Sequence, residues 1–194
     1  MDTAQHTILK NLFKGISLSD AEEKSFIELW KACCFKQNEL ITEAGRMEKY
    51  FYVVLEGVQA IYLINQKGEK VVLGFSYVGS PSGVFDSFLY QKPADTFLEA
   101  LRPSRMLAIS RDDYLNLFDN HPSFHTWAHG FFKEILFGRL SREVELLTLS
   151  AEERYIAFMQ RCPDELKGIP QKYLASYLNM TPETFSRLRR SILY

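Results

Sequence analysis

The stretch Gln171-Lys172-Tyr173-Leu174-Ala175-Ser176-Tyr177-Leu178-Asn179-Met180-Thr181-Pro182-Glu183-Thr184-Phe185-Ser186-Arg187 decides how this chain is read. Leu174 and Leu178 stand four residues apart, which puts both on the inner face of a helix starting at Gln171. Asn179 tolerates the left-handed backbone of a sharp turn. Thr181 is suited to cap the next helix and Pro182 to its first position. A second helix then runs from Pro182 to about Ile192, with Phe185 and Leu188 turned back onto Leu174, Leu178 and Met180. Ala175 is small enough to let the two helices cross closely. The outer face of the second helix carries Glu183, Thr184, Ser186, Arg187 and Arg190. Two helices in this relation make a helix-turn-helix, a motif whose second helix enters the DNA major groove N-terminus first.

Charge sharpens that reading. The 194 residues hold 23 basic and 24 acidic side chains, a net charge of −1, which taken whole argues against non-specific binding to nucleic acid. Divided along the chain, the balance is uneven. Residues 171–194 hold Lys172, Arg187, Arg189 and Arg190 against Glu183 alone, a net of +3, while residues 1–150 hold 16 basic and 19 acidic groups, a net of −3. The positive charge sits where phosphates would be met.

Upstream, Ser150-Ala151-Glu152-Glu153 caps a helix that runs to Arg161 and ends before Pro163. Before it, a long helix starts near Pro122. Trp127, Phe131 and Ile135 recur on one stripe after Phe124, and Phe132, Leu136, Leu140, Val144 and Leu147 on a neighbouring one. One stripe can lie on the body of the protein. The other suits a twin helix from a second copy, with Trp127, Phe131, Ile135, Leu136 and Leu140 as candidate dimer-helix residues. A helix interior to the monomer is the alternative.

Between about 35 and 110 the period is that of strands. Tyr50 to Leu55 is β-branched and aromatic and ends at Glu56-Gly57. Val58 to Ile64 and Lys70 to Phe75 flank the turn Asn65-Gln66-Lys67-Gly68, and Thr96 to Leu101 and Arg105 to Ile109 follow. About eight short strands punctuated by glycines predict an antiparallel barrel or jelly roll. The first 36 or so residues read as helical, with a break and cap at Ser17-Leu18-Ser19-Asp20. Asp112 to Phe118 is a further short helix. The fold class is α+β.

The three cysteines, Cys33, Cys34 and Cys162, are an odd set with two adjacent, so they read as reduced thiols rather than a disulfide framework or metal site. The longest uncharged stretch, Val71–Phe85, is 15 residues, too short to span a bilayer. With no signal peptide legible, a cytoplasmic protein without a membrane partner is expected. His6, His121, His125 and His129 all fall outside the strands, and no carboxylate or thiol joins the helical triplet at ligand spacing. Neither a nucleophile–base pair nor a phosphate-cradling glycine loop is present, so the sequence predicts no enzyme, no cofactor and no metal.

In its order of elements the chain resembles the Crp/Fnr superfamily of bacterial transcriptional regulators, in particular the short members of Bacteroidetes-type bacteria. The residues that carry the resemblance are Gly45, Tyr52-Val53-Val54-Leu55-Glu56-Gly57, Gly79, Leu174-Ala175-Ser176-Tyr177-Leu178 and Thr181 to Arg187. It implies a cyclic nucleotide-binding-like sensory barrel over residues 1–120, a dimerisation helix over 121–149 and a helix-turn-helix domain over 150–194. It also implies a homodimer on a two-fold symmetric site of double-stranded DNA, with RNA polymerase and an unidentified small-molecule effector as further candidate partners. By the same resemblance Glu183 and Arg187 match base-reading positions, a Glu accepting from cytosine N4 and an Arg pairing with guanine. Thr181 and Thr184 match phosphate-contacting positions. Lys172, Ser186, Arg189 and Arg190 complete the candidate DNA-binding set.

Two departures from the family pattern follow. Cyclic-nucleotide binders carry a cassette in which an Arg neutralises the cyclic phosphate and a Glu takes the ribose hydroxyl. Here Gly83 is kept, but Val84 replaces the Glu, Ala94 stands near the Arg position, and Asp95 adds a repelling charge. A buried cyclic phosphate would be poorly compensated. The candidate ligand pocket is Gly83, Val84, Phe85, Asp86, Asp95 and Thr96, for a ligand other than cyclic AMP. Secondly, the chain stops at Tyr194 without the β-hairpin wing of many relatives, which places more of the DNA affinity on Lys172, Arg189, Arg190 and the dimer geometry. The expected function is a homodimeric DNA-binding transcriptional regulator. The alternative is a small-molecule-binding module whose helix pair has lost its DNA function.

Overall fold

The computed structural model describes residues 3–192; Tyr194, where the absence of a wing was read, lies outside them. Helices α1 (Thr3–Leu12) and α2 (Asp20–Leu29) open the chain. Ser19 caps α2 reciprocally: the Glu22 amide donates to Ser19 Oγ (3.4 Å), and the Ser19 amide donates to the Glu22 carboxylate (2.8 Å). The helical reading of the first 36 residues is too long, because β1 occupies Lys31–Phe35. Those five residues gain an antiparallel ladder by running against 104–108, which a third helical turn would forfeit.

Seven further strands follow: β2 (Leu40–Thr42), β3 (Tyr50–Glu56), β4 (Val58–Ile64), β5 (Lys70–Tyr77), β6 (Pro81–Ser82), β7 (Phe97–Ala100) and β8 (Ser104–Ser110). They form two four-stranded antiparallel sheets in the orders β1-β8-β3-β6 and β2-β7-β4-β5. The pair β4–β5 is the hairpin expected around Gly68, which has φ +80°. A bulge leaves Leu73 as the extra residue between the pairs Ile61–Gly74 and Tyr62–Val72. Gly57 turns the chain between β3 and β4 at φ +94°, and a Cβ there would lie 2.3 Å from Ser104 Oγ and 2.6 Å from the Pro103 carbonyl. A short helix, α3 (Phe85–Tyr90), interrupts the strands in the stretch read as a ligand cassette.

Beyond the sheets come α4 (Arg111–Asn120), α5 (Pro122–Thr148), α6 (Ala151–Arg161), a 3-10 turn at Asp164–Gly168, α7 (Gln171–Tyr177) and α8 (Pro182–Ile192). α6 has the expected reciprocal cap between Ser150 and Glu153. One aromatic core gathers Phe13, Phe26, Trp30, Phe51, Phe88, Tyr114 and Phe124 and ties α1 and α2 to the first sheet, α4 and the start of α5. A second core crosses from the barrel into the last forty residues. Val58, Ala60, Tyr62, Val72 and Leu101 are buried in one cluster with Tyr155, Phe158, Tyr173, Leu174, Phe185 and Leu188. The boundary expected at residue 150 is therefore crossed by continuous apolar packing.

Candidate nucleic-acid interface and barrel cavity

The turn between α7 and α8 has the chemistry its residues suggest. Asn179 takes φ +52°, its amide donates to the Ser176 carbonyl (3.0 Å), and the Met180 amide donates to the Ala175 carbonyl (3.0 Å). The Thr184 amide donates to Thr181 Oγ1 (3.2 Å), so Thr181 caps α8 as expected. Phe185 and Leu188 are buried, while Lys172, Thr181, Glu183, Arg187, Arg189 and Arg190 are exposed, with Thr184 and Ser186 half-exposed on the same segment. At the N-terminus of α8, the Glu183 carboxyl is held below the usual carboxylate range by its own backbone N–H and by the Thr181 hydroxyl. The Lys172 ammonium lies 5.3 Å from the Tyr173 ring centroid.

Several groups that position this unit were not legible in the sequence. Arg154 of α6 donates from Nε to the Leu178 carbonyl (2.9 Å) and from Nη2 to the Asn179 carbonyl (3.2 Å), holding the turn by its otherwise unpaired acceptors. Ser176 of α7 receives the Val72 amide (3.0 Å) and donates to the Lys70 carbonyl (2.8 Å), so α7 closes the free edge of β5. Buried Glu99 pairs with the Lys70 ammonium and accepts from the Tyr173 hydroxyl (3.2 Å). Burial alone would lower the Lys70 pKa; hydrogen bonds to Glu99 and Tyr62 outweigh it and raise that pKa above its ordinary value. Tyr173 and Ser176 lie within the helix-turn-helix stretch, but the contacts of all these residues run to elements distant in sequence.

Between the barrel and α5 lies a cavity of about 490 Å³. Gly83, Phe85 and Asp86 line it, with Ile61, Leu73, Phe75, Leu98, Ser76 and Ser82 from the strands and Ile135, Gly138, Arg139 and Arg142 from α5. The other three residues expected in the pocket are elsewhere. Val84 is fully buried in a cluster with Ala94 and Leu98, because the turn at Gly83 (φ +137°) and the start of α3 aim it inward. Asp95 points to solvent, 3.6 Å from Lys92, and Thr96 is outside the lining. Glu48, unremarked in the sequence, organises this loop from within. Its carboxylate accepts from the Thr42 hydroxyl and from the amides of Lys49 (2.9 Å), Tyr50 (3.1 Å) and Val84 (3.4 Å). Burial nevertheless pushes its pKa above the ordinary value.

The dimer-helix residues also divide. Trp127 donates from Nε1 to the Leu12 carbonyl (2.9 Å) and stacks on Phe131 at 5.2 Å, so both residues pack, partly buried, against the body of their own chain. The cause is the N-terminal helix pair, which covers the first third of α5. Ile135 turns to the cavity. Leu136 and Leu140 stay exposed, and with Phe137, Val144 and Leu147 they form the open stripe.

Residues 33–121 match the family model of the cyclic nucleotide-binding domain. The chain is similar in structure to FixK2 from Bradyrhizobium japonicum, with a TM-score of 0.73 and 16% identity over 84% of each chain. It is also similar to the c-di-GMP-responsive global regulator CLP of Xanthomonas campestris, with a TM-score of 0.70 and 16% identity over 88% of this chain and 89% of that one. The catabolite activator protein of Thermus thermophilus aligns with a TM-score of 0.57 and 22% identity over 94% of this chain and 86% of that one. The fold is that of the Crp/Fnr regulators. No curated protein matches the chain. Val84, expected at the cassette's Glu position, and Ala94, expected near its Arg position, are buried together with Leu98 in an apolar cluster. Among the described residues no helix is long and apolar enough to cross a membrane. Three of the histidines have separate contacts there: His6 lies 2.9 Å from Glu23, His121 lies 3.5 Å from Glu22 and His125 meets the Phe118 carbonyl at 2.9 Å.

Proposed function

We propose that this chain is a transcriptional regulator that binds a two-fold symmetric site on double-stranded DNA as a homodimer, and whose barrel senses a small molecule other than cyclic AMP. The observation that carries the reading is the capped and exposed face of α8, where Glu183 and Arg187 stand one turn apart beside Lys172, Arg189 and Arg190. Residues 1–120 are the sensor, 121–149 the helix that pairs two copies, and 150–194 the DNA-binding part. The open stripe on α5 supports pairing, since Phe137, Leu140, Val144 and Leu147 follow the 3-4-3 spacing of a coiled-coil seam. The apolar cluster of Val84, Ala94 and Leu98 supports a ligand other than a cyclic nucleotide, because no cation stands in the cassette itself and the arginines of the cavity lie across it on α5. Occupation of the cavity would shift α5 in both copies and so change the spacing of the two α8 helices. RNA polymerase is the further partner that activation at a promoter would require.

Fluorescence anisotropy against duplexes selected from a random library tests this. Arg187→Ala is expected to weaken binding by about 1–3 kcal/mol and to relax the preference at one base pair. Lys172→Ala is expected to weaken all duplexes alike and to reduce the salt slope by about 1. Unchanged affinity in Arg187→Ala removes that residue as a base reader. Absence of salt-dependent binding to any duplex favours the second reading, a ligand-binding module in which the seating of α7 on β5 is permanent.

A further inference from the structure

Arg139 and Arg142 line the cavity, and among the described residues neither has a carboxylate at ion-pair distance, Glu145 attracting Arg142 only from farther off. Arg139 donates from Nη1 to the carbonyl of the bulged Leu73 (2.8 Å). Arg142 donates from Nη2 to the carbonyls of Val72 (3.3 Å) and Tyr177 (2.8 Å), its guanidinium carbon lies 4.5 Å from the Tyr177 ring centroid, and its Nε–H is buried without an acceptor. The nearby acids are engaged elsewhere or outnumbered. Glu145 is bound bidentately by Arg161 at 2.5 and 2.6 Å, and Asp86 pairs with Lys92 at 3.1 Å, which leaves Glu134 as the one further acid in the lining beside two arginines. Neutral carbonyls use only part of the five N–H groups that each guanidinium carries. A carboxylate or phosphate would make shorter, charge-assisted bonds and give the Arg142 Nε–H its acceptor. The rest of the wall, built from Ile61, Leu73, Phe75, Leu98 and Ile135, is apolar.

We infer that the cavity takes a small molecule with an apolar body and an anionic end, and that Arg139 and Arg142 of α5 hold that end. Arg142 is also the coupling residue: it joins the cavity to the last residue of α7, so a ligand that draws the guanidinium inward alters the seat of the helix pair. The coupling, though not the ligand class, rests on the regulator reading above.

Two fluorescent dyes with the same apolar body separate the claims: anilinonaphthalenesulfonate, which carries an anion, and phenylnaphthylamine, which does not. The protein is expected to bind the sulfonate about tenfold or more tighter than the amine, the scale of one charge-assisted hydrogen bond. Arg139→Gln/Arg142→Gln should remove most of that preference and leave amine binding in place. Gly138→Phe should weaken both dyes by filling the cavity, because a Cβ at this position meets nothing within 4 Å and the helix tolerates it. Equal affinity for the two dyes, a preference that survives the double substitution, or dye binding that ignores Gly138→Phe would each overturn the ligand class. The coupling is read from duplex binding with and without the sulfonate. A change in affinity that Arg142→Gln abolishes supports it, and no change in the parent protein overturns it. A protein that binds no duplex but keeps the dye preference removes the regulator reading and leaves the anion site standing.

Discussion

Single residues in this molecule do their work through partners far along the chain. Glu48 is the clearest case, a carboxylate buried at the root of the cassette loop with four donors around it. Its pKa is raised by burial, so the folded state holds the proton more tightly than the unfolded state, and the stability this lends is fullest in acid. The advantage of the parent protein over Glu48→Gln in urea unfolding is expected to shrink as pH climbs above the ordinary 4.5. A difference that grows with pH would mean that the donors dominate burial. Gly57 is set by geometry rather than charge: Gly57→Ala drives a methyl into Ser104 and the Pro103 carbonyl. A loss of about 2 kcal/mol or more in chemical denaturation is expected, from overpacking added to a left-handed backbone. Gly57 and Asn179 are legible in the sequence because turn chemistry is local. Glu48, Arg142 and Arg154 are not, because an acid or a guanidinium among many announces nothing until its hydrogen-bond partners are in place.

At the scale of elements, helix starts are the features most legible in the sequence. Ser19, Ser150 and Thr181 all cap as expected, each with an acceptor or donor three residues on. β1 and α3 are the least legible, because there a short segment follows its neighbour rather than its own propensity. In α5, periodicity showed two apolar stripes without showing which one the chain covers itself. The structure assigns Trp127 and Phe131 to the body and leaves the stripe of Leu136, Phe137, Leu140, Val144 and Leu147 open. Leu140→Asp and Val144→Asp place charge in that seam and are expected to shift the protein toward monomer in sedimentation velocity, with helical content retained in circular dichroism. A stable dimer carrying both substitutions would show that copies associate by another face. Trp127→Phe, by contrast, is expected to leave association unchanged and to destabilise the fold by about 1 kcal/mol, through the lost hydrogen bond to Leu12.

For the whole molecule, the decisive feature is that barrel and helix pair share one core. Phe158 on α6 is buried in the same cluster as Val72 of β5 and Leu174 of α7. Phe158→Ala is expected to cost about 3–5 kcal/mol. It should lower a single transition seen alike by far-ultraviolet circular dichroism and by Trp30 and Trp127 fluorescence, although both tryptophans sit in the other core. Separate transitions would mean that the helix pair unfolds on its own and that the packing across residue 150 is weak. This packing bears on the proposed function, because any ligand-driven movement of α7 must act against it.

By itself the sequence determined the α+β class, the glycine-punctuated sheets, the long helix, the capped helix pair and the concentration of positive charge near the C-terminal end. All of these rest on period, capping and composition, which are properties of neighbouring residues. Only the tertiary structure decided which face of α5 is free, that Val84 and Ala94 make a dry cluster, and that two arginines face a cavity without a carboxylate of their own. Those facts depend on which groups lie within a few ångströms across the fold, and residues 70 and 173 or 72 and 142 carry no mark of that proximity in a linear chain.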